Sequence, residues 1–399
     1  MSTLDEYVSG CAFKYLSPVD ARGISNQHEI GSNKFKYILG DPGLGELRFN
    51  ATFVYFNPEL EEPETCSDMV TYYDTRRYQE SRSPELRLYY RSNPITEQFE
   101  AGDFCLVAKL HTGTLLIATA RQGSEDEHRL MYLFANSISG SKWVVEPETK
   151  PREINLAVGQ IMDALGIERK DWDDSDLIKA TEVFGMKFPP TSHFSALARK
   201  MCRESISPKE SPDQILEEWM QQEERLFRAL EKRIVSERIS KGFHDVDDFV
   251  AFSLSVQNRR KSRVGHAFEN HLAALFDMSG LKYTRGAITE GKSRPDFLFP
   301  SCEYYKKPDA LSPPLRMLAA KTTCKDRWRQ VLAEAKKIPQ KHLITLETAI
   351  SENQTAEMRE HQVQLVVPES VARTYTPDQQ SWLQSVQEFL DMIKSDQIG

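Results

Sequence analysis

Runs in which every second residue is apolar dominate roughly the first 140 positions. Leu47, Phe49, Ala51, Phe53 and Tyr55 form one such series, Leu86, Leu88 and Tyr90 a second, and Phe104, Leu106, Ala108 and Leu110 a third. A period of two places these side chains on one face of a strand. Leu115-Leu116-Ile117 and Met131 to Phe134 predict further strands, and the turn sequences Asp41-Pro42-Gly43 and His111-Thr112-Gly113 separate the runs. Many short strands with no helical period between them predict a small β barrel or sandwich.

The period then changes. From about Glu148 to Lys187 the pattern is helical and acidic (Asp171, Asp173, Asp174, Asp176) until Lys187-Phe188-Pro189-Pro190 breaks it. This stretch separates an N-terminal domain, 1–176 with its acidic helical linker, from a second domain at 177–399. Ser211-Pro212-Asp213-Gln214 opens a long helix: serine caps, proline suits the first helical position, and glutamine completes a capping box. Its apolar positions Ile215, Trp219, Leu226, Leu230 and Ile234 keep helical spacing. A shorter helix is expected near Val246 to Ser255, and another through Val264, Phe268, Leu272 and Phe276 that stops at Gly280. Beyond it strands and helices alternate. Phe297-Leu298-Phe299, Leu318 to Lys321, Leu343 to Leu346 and Val363 to Val367 read as strands. Thr355 to Glu360 reads as a short helix, and a last helix carries Trp382, Val386, Phe389 and Ile393. The C-terminal half is therefore α/β, a mixed sheet flanked by helices with the Asp296 and Lys321 strands central.

Length and composition narrow the class. A chain of 399 residues with 40% hydrophobic positions predicts two or three domains with real cores. Cys11, Cys66, Cys105, Cys202, Cys302 and Cys324 are scattered, with no Cys-x-x-Cys pair, which argues for a reducing cytoplasm and against a zinc site or disulfide framework. No apolar run approaches the roughly 20 residues that cross a bilayer, and no signal-peptide core opens the chain. A soluble cytoplasmic protein with no membrane partner is expected. The net charge of −8 conceals an asymmetry: Val256 to Thr345 holds 18 Lys and Arg against 8 Asp and Glu. A basic segment in an acidic chain is the footprint of polyanion binding or an ordinary solvated face.

Chemistry concentrates inside that segment. Asp296 enters an apolar strand directly after Pro295, and Lys321 lies in a second apolar strand, where an unpaired charge is unfavourable. Glu334 follows on what reads as the next helix, ahead of Lys336-Lys337. Two carboxylates and a lysine converging at strand ends form the layout of a Mg²⁺-dependent phosphodiesterase. Glu269 flanks the apolar stripe of the preceding helix, facing either that site or solvent. His266 has no partner at metal-ligand spacing and reads as structural. Arg259, Arg260, Lys261 and Arg263 are candidates for phosphate contacts. In the N-terminal half, Arg76-Arg77-Tyr78-Gln79-Glu80-Ser81-Arg82 with Arg87 and Arg91 makes a basic, tyrosine-bearing patch between two strands. It is either a loop entering a DNA groove or an edge strand blunted by charge.

Four runs carry a resemblance. They are Asn258-Arg259-Arg260-Lys261-Ser262-Arg263-x-Gly265, Ala287-Ile288-Thr289-Glu290-Gly291, Pro295 to Ser301, and Lys321-Thr322-Thr323-Cys324-Lys325-Asp326-Arg327-Trp328-Arg329-Gln330. Together they resemble the EcoRII-type (Type IIE) restriction endonucleases of the PD-(D/E)xK superfamily. A thinner likeness through Tyr72-Tyr73, Arg76, Arg82 and Arg87 extends to the N-terminal half. The resemblance implies a restriction-endonuclease-like C-terminal domain and an N-terminal pseudobarrel of the plant B-three DNA-binding type. It implies Mg²⁺-dependent cutting of double-stranded DNA at CCWGG or a related site, and a homodimer formed through the catalytic domain. A second copy of the site would bind the N-terminal domain as effector, relieving its block of the catalytic cleft.

Residue by residue, the resemblance makes Asp296 the central metal ligand and Lys321 the catalytic lysine. Ala319 stands where the textual motif has an acid, and the family subgroup moves that acid to the position of Glu334. Glu269 matches the helix acid that completes the site, and Tyr305 falls where the family has a tyrosine, with Tyr304 beside it. Lys325-Asp326-Arg327 suits base reading: a basic side chain donates to guanine O6 and N7, and a carboxylate accepts from cytosine N4. The alternative is a capping aspartate between two phosphate contacts. Two other classes would share parts of the pattern: a non-catalytic DNA-binding regulator and a structure-specific repair nuclease. The first leaves Lys321 facing Asp296 unexplained, and the second has no use for Lys325-Asp326-Arg327.

Overall fold

The computed structural model describes the chain except residues 1, 22–28, 61, 80, 136–139, 170–173, 203–209, 308–312, 325–326 and 399. It divides into two compact units, Met1–Arg169 and Lys170–Gly399. Among the described residues, no helix is long and apolar enough to cross a membrane.

The first unit is mainly β. Its strands are β1 (Val8–Tyr15), β2 (Glu29–Ile30), β3 (Glu46–Phe56), β4 (Glu64–Asp74), β5 (Leu86–Tyr89), β6 (Phe104–Leu110), β7 (Leu115–Ala120) and β8 (Val144–Glu146). They form one eight-stranded sheet in the order β2-β5-β4-β3-β7-β6-β1-β8. The β3–β7 pair is parallel, whereas β3–β4, β6–β7 and β1–β6 are antiparallel. Alternation sorts the side chains. Ala51, Phe53 and Tyr55 join Ala12, Ile30, Tyr72, Leu88, Val107 and Ile117 in one core. Because that core draws on β1 and β2, near opposite ends of the strand order, the sheet must curl around it as a pseudobarrel. Val54, Phe56, Phe104 and Leu116 face a second core, closed by Leu130, Leu133, Val158 and Ile161 from two helices.

One of those helices corrects the sequence reading. Met131 to Phe134, expected as a strand, ends the helix Glu125–Phe134. The Ser124 hydroxyl accepts from the Glu127 amide, and three acids fill the first turn, where the helix dipole favours them. Four consecutive apolar residues cannot by themselves reveal their period.

The second unit begins with the helices Asp174–Phe184, Thr191–Cys202, Pro212–Lys241 and Val246–Met278, the first three of which share a core around Phe194, Leu226, Phe227 and Leu230. The Ser211–Gln214 capping box is present with Pro212 in the first turn. Two helices were expected over 246–278, but a single one of 33 residues forms. Proline is absent from it, Gly265 is tolerated inside, and its early apolar residues Phe249, Val250 and Leu254 are exposed, so they show no inward stripe. The expected stop at Gly280 is met, with φ +71.

The sheet of this unit comprises β9 (Thr284–Arg285), β10 (Phe297–Phe299), β11 (Arg316–Lys321), β12 (Lys341–Thr345) and β13 (Val363–Val366), in the order β13-β12-β11-β10-β9. It is mixed: β9, β10 and β11 pair antiparallel, and β11, β12 and β13 pair parallel. The strand bearing Lys321 therefore sits third of five. Trp382 lies in a turn before the last helix, Val386–Ile398, rather than on it.

Candidate functional site

The β10–β11 register sets Phe297 opposite Leu318 and Leu298 opposite Met317. Asp296, one residue ahead, therefore meets the end of β11, where Lys321 closes the strand. Asp296 Oδ2 accepts from the Ala320 amide at 2.7 Å and from Lys321 Nζ at 2.9 Å. The pair is partly buried, so it is less screened by solvent than a surface ion pair. Ala319, in place of the motif's acid, is fully buried.

Glu334 was expected on a helix. The helix is a single turn, Trp328–Val331, and Glu334 lies three residues beyond it in a tight turn. Its amide donates to Val331 O at 3.0 Å, and Ala335, which follows, holds a left-handed φ of +43. Anchoring by the buried Trp328 and Val331 ends the helix early and turns the chain back toward β12. Burial raises the Glu334 carboxyl to about 7; Lys321 and Lys341 pull it down, and Asp296 pushes it up. Those mutual influences bring Glu334 into the same electrostatic site as Asp296 and Lys321. Glu334 Oε2 is buried with no hydrogen-bond partner among the described residues.

That orphaned oxygen tests the site for a cation. A buried carboxylate oxygen without a donor, near a second carboxylate, fits a hard divalent ion that takes oxygen ligands. Among the described residues, no group of three or more His, Cys, Asp or Glu stands ready to hold a metal. Two carboxylates therefore suit an ion that keeps much of its shell as water or phosphate oxygen, as Mg²⁺ does.

Glu269 is engaged by Arg285, whose Nη2 and Nε lie 3.0 and 3.3 Å from Oε2. Arg285 belongs to β9 and pairs opposite Phe297, so Glu269 is tied to the strand beside Asp296. Tyr305 is buried, and its hydroxyl lies 2.8 and 2.7 Å from the two oxygens of Glu290. The same hydroxyl accepts the Lys337 amide at 3.2 Å, and Lys337 Nζ donates to Tyr305 O at 3.0 Å. Burial first, then the Glu290 contact, pushes the phenol up to about 12. Burial alone would raise the Glu290 carboxyl. The Tyr305 hydroxyl, backbone amides and Lys337 outweigh it and hold that carboxyl below the usual range. Tyr305 thus fastens the loop ahead of Asp296 to the turn after Glu334. Tyr304 is only half-buried, with Lys307 Nζ over its ring.

The basic candidates separate. Lys325 and Asp326 lie outside the described residues; Arg327 is exposed. Arg259 is exposed with its guanidinium 4.6 Å from the Phe188 ring, Arg260 is bound to Glu231 at 2.5 Å, and Lys261 is exposed. Arg263 corrects the expectation of a phosphate contact. It is 5% exposed, ion-paired with Glu223 and Glu224, and packed 4.2 Å over the Phe227 ring. Interleaved with exposed arginines, its position on the inward face was invisible until the helices packed.

In the first unit, Arg76 and Arg87 both bind Glu85, at 2.7 and 2.6 Å, across the β4–β5 connection. Asp74 Oδ1 accepts the Arg76 and Glu85 amides at 2.9 and 2.8 Å and closes the loop. Arg82 is exposed, Tyr72 is buried in the core, and Arg77 lies over the Tyr73 and Tyr78 rings. The sequence reading passed over Lys341, whose ammonium is buried at the start of β12. The signal that found Lys321, a lysine entering an apolar run, is present there too.

Residues 227–390 match the protein family described as EcoRII C terminal. The Type II restriction enzyme EcoRII of Escherichia coli is 35% identical over 376 residues, covering 91% of this chain and 89% of that enzyme. Among solved structures, the restriction endonuclease PspGI–substrate DNA complex gives a TM-score of 0.44 at 15% identity, covering 55% of this chain and 96% of that one. Metal-depleted Ecl18kI in complex with uncleaved, modified DNA gives 0.40 at 20% identity, covering 55% and 82%.

Proposed function

The chain belongs to the EcoRII family of restriction endonucleases, and from that premise we propose that it hydrolyses double-stranded DNA with Mg²⁺ at CCWGG or a closely related site. It is a site-specific endonuclease. The observation that carries the finer reading is the Asp296–Lys321 pair beside the orphaned, buried oxygen of Glu334.

Asp296 and Glu334 would hold the cation. When bound, Mg²⁺ supplies Lewis-acid polarisation of the phosphate and a more acidic water. Lys321, held at strand end by Asp296, places a positive charge where the phosphodiester gains negative charge, and orients the attacking water for in-line displacement. The products are a 5′-phosphate and a 3′-hydroxyl. Ala320 fixes Asp296 through its amide, so the carboxylate keeps one geometry as DNA arrives. Glu269, held by Arg285, supports the site from the adjacent helix. Tyr305 acts as a positioning residue.

Arg327, together with Lys325 and Asp326, would read base edges, while Arg259, Arg260 and Lys261 would meet phosphates. Residues 177–399 form the catalytic domain and act as a homodimer. Residues 1–176 bind a second copy of the site as effector through Arg76, Arg82 and Arg87, and restrain cleavage until they do. We place the protein in a prokaryotic cytoplasm. Family membership removes the non-catalytic regulator and the repair nuclease as rivals.

The test is digestion of a plasmid carrying several CCWGG sites, with Mg²⁺ or with EDTA, followed by sequencing of the ends. Discrete Mg²⁺-dependent ends at CCWGG are expected. Discrete ends elsewhere would move the recognition site, and no cleavage with many sites present would refute the catalytic assignment.

A further inference from the structure

We propose that Lys341 is a positioning residue for cleavage: its ammonium grips the backbone of the turn that carries Glu334 and so aims that carboxylate at the cation site shared with Asp296. The inference rests on the reading of Glu334 as a metal ligand.

Lys341 opens β12 and is 4% exposed. Its Nζ lies 2.5 Å from Glu334 O and 2.7 Å from Ala335 O. Both acceptors belong to consecutive peptide groups, and the second belongs to a non-glycine residue with φ +43. A left-handed alanine is intrinsically unfavourable and persists only where its surroundings over-determine it. Here a buried ammonium supplies that determination, with the Ile338 amide also donating to Ala335 O at 2.9 Å. The base of the clamp is itself rigid. Lys341 N donates to Gln362 O at 3.0 Å, and the strand continues in parallel register with β11, the strand that ends in Lys321. One strand thus carries the lysine that fixes Glu334, and its neighbour carries the lysine that fixes Asp296.

Which atoms Lys341 contacts is the informative point. Its hydrogen bonds fall on backbone carbonyls, while Glu334 Oε2 has no hydrogen-bond partner among the described residues. A lysine bonded to the carboxylate would compete with a cation. A lysine bonded to the carbonyls behind it orients the carboxylate and leaves that oxygen available. Outer-shell groups that orient a ligand typically change metal affinity or activity by about 10–100-fold when removed.

The experiment compares full-length wild type, Lys341→Met and Glu334→Gln by single-turnover cleavage of a DNA duplex across a Mg²⁺ series. Mn²⁺ affinity of the uncleaving protein is measured in parallel from the free-ion electron paramagnetic resonance signal. Lys341→Met should raise the Mg²⁺ concentration for half-maximal rate at least about tenfold and weaken Mn²⁺ by a similar factor, with the rate largely restored at saturating Mg²⁺. A variant that lost only folding stability would keep the wild-type metal midpoint. Where Lys341→Met does not fold, Lys341→Gln, which keeps an N–H donor without the charge, takes its place with the same expectation. Unchanged Mg²⁺ and Mn²⁺ dependence in the folded variant would overturn the proposal while Glu334→Gln remains inactive. Wild-type cleavage by Glu334→Gln would instead overturn the assignment of Glu334.

Discussion

Lys321 Nζ sits 2.9 Å from Asp296 Oδ2, on the same oxygen that takes the Ala320 amide. Two donors on one carboxylate oxygen fix the aspartate at the end of β11, so removing either side chain disrupts the same centre. Asp296→Ala and Lys321→Ala should each lower the single-turnover rate by at least about a hundredfold, since electrostatic groups aimed at developing charge carry that much. Gel-shift affinity for the same duplex should change far less. Cleavage by either variant near the wild-type rate would refute the assignment.

Tyr305→Phe removes a hydroxyl that serves Glu290 and the Lys337 amide together. Glu290 is partly buried and Lys337 exposed, so water takes up part of the loss and the cost is about 0.5–1.5 kcal/mol, a small fall in melting temperature. Activity should drop only as far as the Glu334 turn loosens. A dead enzyme with an unchanged melting temperature would mean that Tyr305 touches the reacting atoms.

Arg263 and Arg327 should behave as opposites. Arg263→Met leaves Glu223 buried beside an apolar chain, a loss of about 3–5 kcal/mol in urea unfolding, and should not alter the salt dependence of DNA binding. Arg327→Ala should leave stability within about 0.5 kcal/mol and cost about 1–3 kcal/mol of discrimination at one base pair. A pronounced change in salt slope for Arg263→Met would return it to the DNA surface.

His342 is almost fully buried in β12, and burial, followed by Arg316, pushes its imidazolium down to about 4. The unfolded chain, with an ordinary value near 6.5, binds more protons between those two pH values. The contribution of His342 is therefore complete above about pH 6.5 and is lost as pH falls toward 4, by up to about 3 kcal/mol. Glu334, whose raised carboxyl stabilises the folded state as it protonates below about pH 7, opposes this, so the test is the difference between proteins: lowering the pH from 7 to 5 should cost wild type more, in urea midpoint, than it costs His342→Gln. An equal difference in both proteins would place the sensitivity elsewhere.

Deleting the N-terminal unit should leave a working nuclease. The division falls after Arg169, and the helix Asp174–Phe184 lies wholly in the second unit. A truncation should start at Lys170, because a cut after residue 176 would split that helix. Cleavage of a one-site plasmid should then proceed at least as fast as with the full chain. A folded truncation without activity would refute autoinhibition by residues 1–176.

Local features were legible along the chain. Period-two alternation marked β3, β5 and β6. Ser211, Pro212 and Gln214 marked the start of a long helix, because caps are written in neighbouring residues. Asp296 and Lys321 were legible because a charge entering an apolar run must find a partner. Tertiary structure decided what depends on which face turns inward. Arg263 reads like Arg259 and Arg260 until helix packing buries it against Glu223. Met131 to Phe134 shows no period of its own, and only the cap at Ser124 and the core behind Leu130 make it helical. Glu334 left the predicted helix because Trp328 and Val331 are pinned in the core and the chain must return to β12. Lys341 acquires its meaning only there: the carbonyls it holds are adjacent to each other in sequence, but its reach to them is set by the fold.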